Sequence, residues 1–236
     1  MTARVRLDSI TREETPRLAQ AHKTVAEEVD RAPLAAAESA LAQAIRLRRS
    51  VRHFLPGRVP DGTIANLIRE AAWAPSPHNS QPWGFTVLAD DARTRLAYAM
   101  AESLRADLAR QGMSTAEIEA QASKSVTRIS QAPNALLCSA TADGLRLTGD
   151  PTLDSLETKM ATQSLGAVLQ TLFLLAAEQG IATCWMAAPM YCPETVRAVL
   201  HLPPGYEPQA LILFGFAADS GRVRPRRSVE ELVEFR

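Results

Sequence analysis

The order of the apolar patterns constrains this chain most. Helical periods come first, and strand-like runs are few, short and late. Residues 34–48 are Ala-rich, with apolar positions at Leu34, Ala37, Leu41, Ala44 and Ile45, a helix spacing. A second stripe, Ile64, Leu67, Ile68, Ala71 and Ala72, follows Pro60-Asp61-Gly62-Thr63. It must end before Pro75, because the residue preceding a proline is pushed out of helical geometry. Residues 85–88 read as a strand. Asp90 or Asp91 is placed to cap a helix reaching about Arg110. Ser114 with Glu117 forms a capping-box pattern for another helix, to about Ile129. Residues 135–140 read as a buried strand and 141–153 as a loop placed to act as a lid. The best-defined helix covers about 156–179, with Gly180 where a left-handed terminator belongs. Residues 181–186 and 210–216 read as strands, and Pro193 opens a short helix between them. Strands and helices do not alternate regularly, so a doubly wound parallel sheet does not fit. The pattern points to an α+β domain, with helices packed around a central, mostly antiparallel or mixed β-sheet.

Charge excludes some partners. The 26 basic residues balance the 26 acidic ones, so there is no general pull toward nucleic acid or an anionic membrane. Any anion site must come from local clustering. The longest apolar run, residues 165–177, contains Gln170 and falls short of the roughly 18 residues a membrane span needs. The N-terminal stretch is polar and does not read as a signal peptide. Cys138, Cys184 and Cys192 have no Cys-x-x-Cys spacing and read as free thiols packed as small hydrophobes. A cytoplasmic protein is expected.

Two basic clusters stand at opposite ends of this neutral chain. Arg46, Arg48, Arg49, Arg52 and Arg58 form one; Arg222, Arg224, Arg226 and Arg227 form the other. The arginine fork matches phosphate oxygens, and Ser50 adds a hydroxyl donor. Taken alone, such a cluster is as well explained by a solvated turn. Residues 75–82 hold three prolines in eight positions, so the loop is fixed rather than flexible. Asn79 and Gln81 within it carry amides able to serve a ring edge that bears carbonyls and N–H groups. His78 is either a general acid or, more simply, a wall or surface residue. There is no Gly-x-Gly-x-x-Gly opening a strand–helix unit, no Gly-Lys-Ser/Thr loop, no Gly-x-Ser-x-Gly and no His-Glu-x-x-His. His22, His53, His78 and His201 are scattered without metal spacing.

Together these stretches resemble the nitroreductase family of FMN enzymes. Arg48-Arg49-Ser50-Val51-Arg52 comes first. Ala74-Pro75-Ser76-Pro77-His78-Asn79-Ser80-Gln81-Pro82-Trp83 follows, then Gly180-Ile181-Ala182-Thr183-Cys184-Trp185-Met186, then Pro225-Arg226-Arg227-Ser228-Val229-Glu230-Glu231-Leu232. The likeness runs from about Ala40 to the end. It implies a homodimer with FMN at the subunit interface and NADH or NADPH as electron donor. It implies that Arg48, Arg49, Ser50 and Arg52 contact FMN, that Asn79 bonds the ring, and that Pro75, Ser76 and Gln81 lie nearby, some reaching the partner's flavin. Ala187 and Ala188 match backbone-contacting positions near the reactive ring nitrogen; relatives often carry an acidic residue or glycine at the first of these. Arg224 and Arg226 match a basic pair at the phosphate. Residues 1–35 lie outside the likeness as an extension, read as a helical arm ahead of a flavin-binding domain at 36–236.

The implied activity is ping-pong reduction of nitroaromatic or related electron-poor small molecules, with no dedicated acid–base residue. Other chemistries on this fold are flavin fragmentation, reductive dehalogenation and ring dehydrogenation. A flavin-binding protein without catalysis is the reading from another class. The helices at 100–130 and the 141–160 segment, which would select the substrate, carry no motif.

Overall fold

The computed structural model describes residues 39–236, so the arm expected within 1–35 lies outside the described residues. The described elements are α1 (Ala40–Leu47), α2 (Asp61–Ala71), β1 (Trp83–Val87), α3 (Asp90–Arg110), α4 (Thr115–Ser130), β2 (Asn134–Ala140), α5 (Pro151–Glu178), β3 (Ile181–Met186), α6 (Pro193–Leu200) and β4 (Glu207–Phe216). The four strands form one antiparallel sheet in the order β1-β2-β4-β3. The α+β expectation holds, and the sheet proper is wholly antiparallel.

The central strands are buried on both faces. Along β2, Leu136 and Cys138 enter one apolar cluster while Ala135 and Leu137 enter the other. Ile212 and Phe214 of β4 join the first, and Leu211 and Leu213 the second. The period of two thus places alternate residues in two cores, which is why both strands are near-continuous apolar runs. One core is closed by α2 and by the Leu165, Val168, Leu169 and Leu172 stripe of α5. The other is closed by Leu96 and Met100 of α3, Ile129 of α4 and Val196 of α6. Asn134, fully buried at the head of β2, accepts from the Val59 N–H (2.8 Å) and donates to its carbonyl (3.3 Å). This satisfies a backbone that no strand pairs.

Several boundaries differ from the sequence reading, beginning with β1, which starts at Trp83 rather than Phe85. Helix α5 begins at Pro151 rather than near Leu156, because Asp150 caps it by accepting from the N–H groups of Thr152 and Leu153. It therefore has 28 residues, and by length and composition alone it suffices to cross a membrane; the run at 165–177 understated it. Its buried stripe lies on the sheet, as the core helix of a globular domain does. Helix α3 is preceded by Ala89 as cap, with no side-chain cap; Asp90 and Asp91 lie in its first turn, where their charge suits the helix dipole. Strand β4 starts at Glu207, earlier than expected. The Ser114–Glu117 capping box and the left-handed Gly180 (φ 70°) are as expected. All three cysteines are free thiols, Cys138 and Cys184 buried and Cys192 half-buried.

Candidate functional site

The chain leaving α1 is stitched to the far edge of the sheet. Ser50 bridges Thr183 of β3 in parallel, with Val51 N–H donating to the Thr183 carbonyl (3.0 Å). Four residues on, Phe54 bridges Ala217 beyond β4; Leu55 N–H donates to Phe216 O (2.8 Å) and Ala218 N–H to His53 O (3.0 Å). The first arginine segment is thereby laid beside the start of the C-terminal tail. An Asx turn then redirects that tail: Asp219 accepts from Gly221 N–H (2.9 Å), and Gly221 takes φ +66°. A Cβ on Gly221 would stand 3.0 Å from Cβ of Arg49, so the turn needs glycine for both conformation and space.

The two basic clusters consequently share one cavity of about 480 Å³. Arg46, Arg48, Arg49 and Arg52 line it from one side of the sequence, with Ser50 among them. Arg222, Arg224 and Arg226 line it from the other, and among the described residues no carboxylate does. Several arginines elsewhere are paired: Arg58 and Arg93 with Asp90, Arg105 with Glu102 and Glu119, Arg197 with Glu194 and Glu207. Among the described residues, Arg48, Arg49, Arg52, Arg224 and Arg226 have no such partner. Arg49 donates to the carbonyls of Arg46 and Arg48, and Arg226 to that of Arg224. Burial first, then the charges of Arg226 and Arg49, hold the Arg48 guanidinium below its ordinary pKa. A cluster of unneutralised cations is costly to assemble, and an anion relieves it. Phosphate fits the donor set: several planar forks and one hydroxyl around a space of suitable size.

The proline-rich loop is held in an unusual form. His78, Asn79 and Gln81 all have positive φ (55°, 53° and 46°). Left-handed geometry in three non-glycine residues is a strain that persists only where surroundings enforce it. Ser76 enforces it here, its hydroxyl accepting from Gln81 N–H (3.0 Å) and its carbonyl from Asn79 N–H (3.1 Å). A short 3₁₀ turn, Pro77–Asn79, lies inside what read as irregular loop. Asn79, Gln81, His78 and Pro75 are exposed; Ser76 is half-buried. The loop at 141–150 braces this one, with Gly144 so close that a Cβ there would meet the Ser80 backbone at 2.8 Å. That brace is tied to α5 by the Arg146 N–H on Glu157 and by the Thr148 and Gly149 N–H groups on Asp154. A segment expected to serve as a lid is therefore anchored along its second half.

Within one chain the site residues fall into separate groups. The loop leads into β1, at one edge of the sheet; the arginine cavity lies beyond β3, at the other. Three strand spacings, about 14 Å, separate the edges. No described cavity contains both Asn79 and Arg48. Ala187 and Ala188 stand at the end of β3, four and five residues past Thr183, or about 13–17 Å along the strand. Ala187 is exposed, and its carbonyl accepts from Met190 N–H (3.0 Å) at the 3₁₀ turn Ala188–Tyr191. Arg46 and Arg222 line the cavity although the likeness singled out neither; their membership in the two clusters was the available signal. Among the described residues no group of histidine, cysteine and carboxylate side chains could hold a metal.

Comparison with known proteins places the fold in a family. The sequence model described as "Nitroreductase family" matches residues 45–216. Nitroreductase NfnB of Mycolicibacterium smegmatis is 31% identical over 215 residues, covering 81% of this chain and 90% of that protein. The 5,6-dimethylbenzimidazole synthase of Rhodospirillum rubrum is 30% identical over 172 residues, covering 72% of this chain and 78% of its own length. Among solved structures, the FMN-dependent nitroreductase NfnB from Mycobacterium smegmatis, in complex with NADPH, superposes with a TM-score of 0.63 at 27% identity, over 83% of this chain and 99% of that one. The chain belongs to the nitroreductase family.

Proposed function

We propose that this chain is an FMN-dependent oxidoreductase that draws electrons from NADPH or NADH and passes them to nitroaromatic or related electron-poor small molecules. The observation that carries this reading is the arginine cavity, assembled from both ends of the sequence around a space that no carboxylate lines among the described residues. Arg48, Arg49, Arg52, Arg224 and Arg226, with the Ser50 hydroxyl, are the groups that would hold the flavin phosphate. FMN bound there supplies two-electron transfer between donor and acceptor. The chain's own contribution is to bind, orient and tune. β3 runs from the cavity to Ala187 and Ala188, whose backbone is placed for the ring end of an elongated ligand. The strained loop presents Asn79 and Gln81 with Pro75 and Ser76 behind them, and fixed amide donors of this kind stabilise negative charge that develops on a ring. Donor and acceptor take turns at one pocket, which gives ping-pong kinetics.

A homodimer completes the site. The Asn79 loop lies across the sheet from the arginines of its own chain, so it serves the flavin held by a second copy. Exposed apolar side chains support this: Leu41, Ile45 and Leu47 of α1, and Trp73, 86% exposed just before the loop. Residues 1–35 are an extension ahead of the flavin-binding domain at 36–236, and the cytoplasm is the compartment that suits three unpaired thiols.

The similarity to a dimethylbenzimidazole synthase supports a second reading, in which the flavin itself is consumed. One experiment separates the two. NADPH or NADH oxidation is followed with a nitroarene, and FMN is recovered afterwards. Sustained turnover with intact FMN is expected; loss of FMN in step with donor oxidation would favour the second reading, and no nicotinamide oxidation would contradict the first.

A further inference from the structure

A second basic groove adjoins the arginine cavity and shares Arg52, Arg222 and Arg224 with it, while the flavin reading leaves its Lys124 and Arg128 unused. It is a cavity of about 470 Å³ where Arg52, Arg222 and Arg224 meet Lys124 and Arg128 of α4. A smaller one of about 290 Å³ shares Arg52, His53, Lys124 and Arg128 with it and reaches Gln131 and Ala132. Among the described residues, five cations thus face a single carboxylate, Asp219, which is already engaged by His53 (2.8 Å) and by Gly221 N–H.

Lys124 and Arg128 stand one helical turn apart, where like charges repel and weaken the helix. Among the described residues neither has a carboxylate partner, whereas Glu119 on the same helix is matched by Arg105. Arg52 and Arg128 line both of these cavities, so their guanidinium groups face one shared space. Among the described residues the pair therefore costs stability with no contact to offset it. A ligand anion accounts for it.

With the flavin phosphate in the first cavity, the groove needs a second anionic group on a molecule that must also approach the flavin. The nicotinamide donor is such a molecule. A phosphate monoester carries nearly two charges and three acceptor oxygens, while each phosphorus of a pyrophosphate carries one charge, so a groove this basic favours the monoester. We propose that Lys124 and Arg128, with Arg52 as the wall shared between the cavities, form a subsite for the 2′-phosphate of NADPH and make the protein select NADPH over NADH. The proposal rests on the flavin reading.

The test uses the full-length protein as purified with its flavin, and the variants Lys124→Ala, Arg128→Ala and the two combined. Flavin content is read first from the absorbance spectrum. Adenosine 2′,5′-bisphosphate and adenosine 5′-monophosphate are then titrated by calorimetry, which needs no turnover. Wild type binds the bisphosphate at least about tenfold more tightly, and the double variant loses that preference with its flavin content unchanged. KM for NADPH rises about tenfold in the double variant while KM for NADH stays put. Lys124→Arg keeps the preference. Equal binding of the two nucleotides by wild type, or a preference that survives in the double variant, overturns the subsite. A parallel rise in both KM values assigns the groove to the pyrophosphate and overturns the 2′-phosphate assignment. Protein that carries no flavin contradicts the flavin reading instead, and the nucleotide titration still scores the groove.

Discussion

The imidazole of His53 lies 2.8 Å from the carboxylate of Asp219, tying the segment that carries Arg48, Arg49 and Arg52 to the turn that launches Arg222, Arg224 and Arg226. Both side chains are exposed, so the pair contributes little stability by itself. It marks where the two ends of the chain are joined. Beneath it, the Ala218 N–H to His53 carbonyl bond and the Phe54–Ala217 bridge bear the load.

The turn depends on Gly221. Replacing it with alanine forces a side chain into left-handed geometry and against the Arg49 Cβ, 3.0 Å away. Gly221→Ala is expected to cost about 1 kcal/mol or more in stability. For a chain of this size that lowers Tm by about 2–4 °C per kcal/mol in a thermal melt. FMN affinity, measured by fluorescence titration, should fall as well, because Arg49 and the tail move apart. Unchanged affinity would show that the tail is not part of the anion site.

Asn79 offers a way to separate backbone from side chain. With φ at +53°, Asn79→Ala both strains the loop and removes the amide, whereas Asn79→Gly relieves the strain and removes only the amide. If the amide bonds the flavin ring, both variants weaken FMN binding by about 0.5–1.5 kcal/mol, the ordinary worth of such a bond. If the loop matters only for its shape, glycine retains full affinity.

The thiols give a pH prediction. Burial raises the pKa of Cys138 above its ordinary 9.0, and raises Cys184 and Cys192 also. Folded protein therefore holds these protons where the unfolded chain has released them. The stability contribution is whole below pH 9 and is lost as pH rises through the ordinary thiol range toward the folded values. Urea midpoints should fall between pH 8.5 and 10, and less so in a variant with Cys138→Ala. A thiol reagent at pH 8 should leave Cys138 and Cys184 untouched in native protein and titrate all three cysteines after denaturation.

Much of the fold was legible because its signals are local. The Ser114–Glu117 box, the Gly180 terminator and the doubly buried run of β2 each follow from chemistry within a few residues. The start of α5 was missed because Asp150 and Pro151 act as cap and first turn ahead of any apolar stripe. At the site, the arginines and the Asn79 loop were visible as residue types. What joins them is not local: Ser50 meets Thr183, and Phe54 meets Ala217, across more than a hundred positions of sequence. The left-handed His78, Asn79 and Gln81 were also beyond reach, since the loop's strain is imposed by Ser76 and by the brace at 141–150 rather than by any glycine. Lys124 and Arg128 lie in the 100–130 helices, which carry no motif, and only the packing of α4 beside Arg52 brings them into a cavity.

The central claim is that arginines from both ends of the chain hold a flavin phosphate, and FMN titration of wild type against Arg48→Ala tests it most directly. The account predicts yellow wild-type protein that releases FMN on denaturation, and an Arg48→Ala variant weakened by about 1.5–3 kcal/mol, the range for a charged hydrogen bond. Colourless wild-type protein unable to take up FMN, or an Arg48→Ala variant with undiminished affinity, would contradict it.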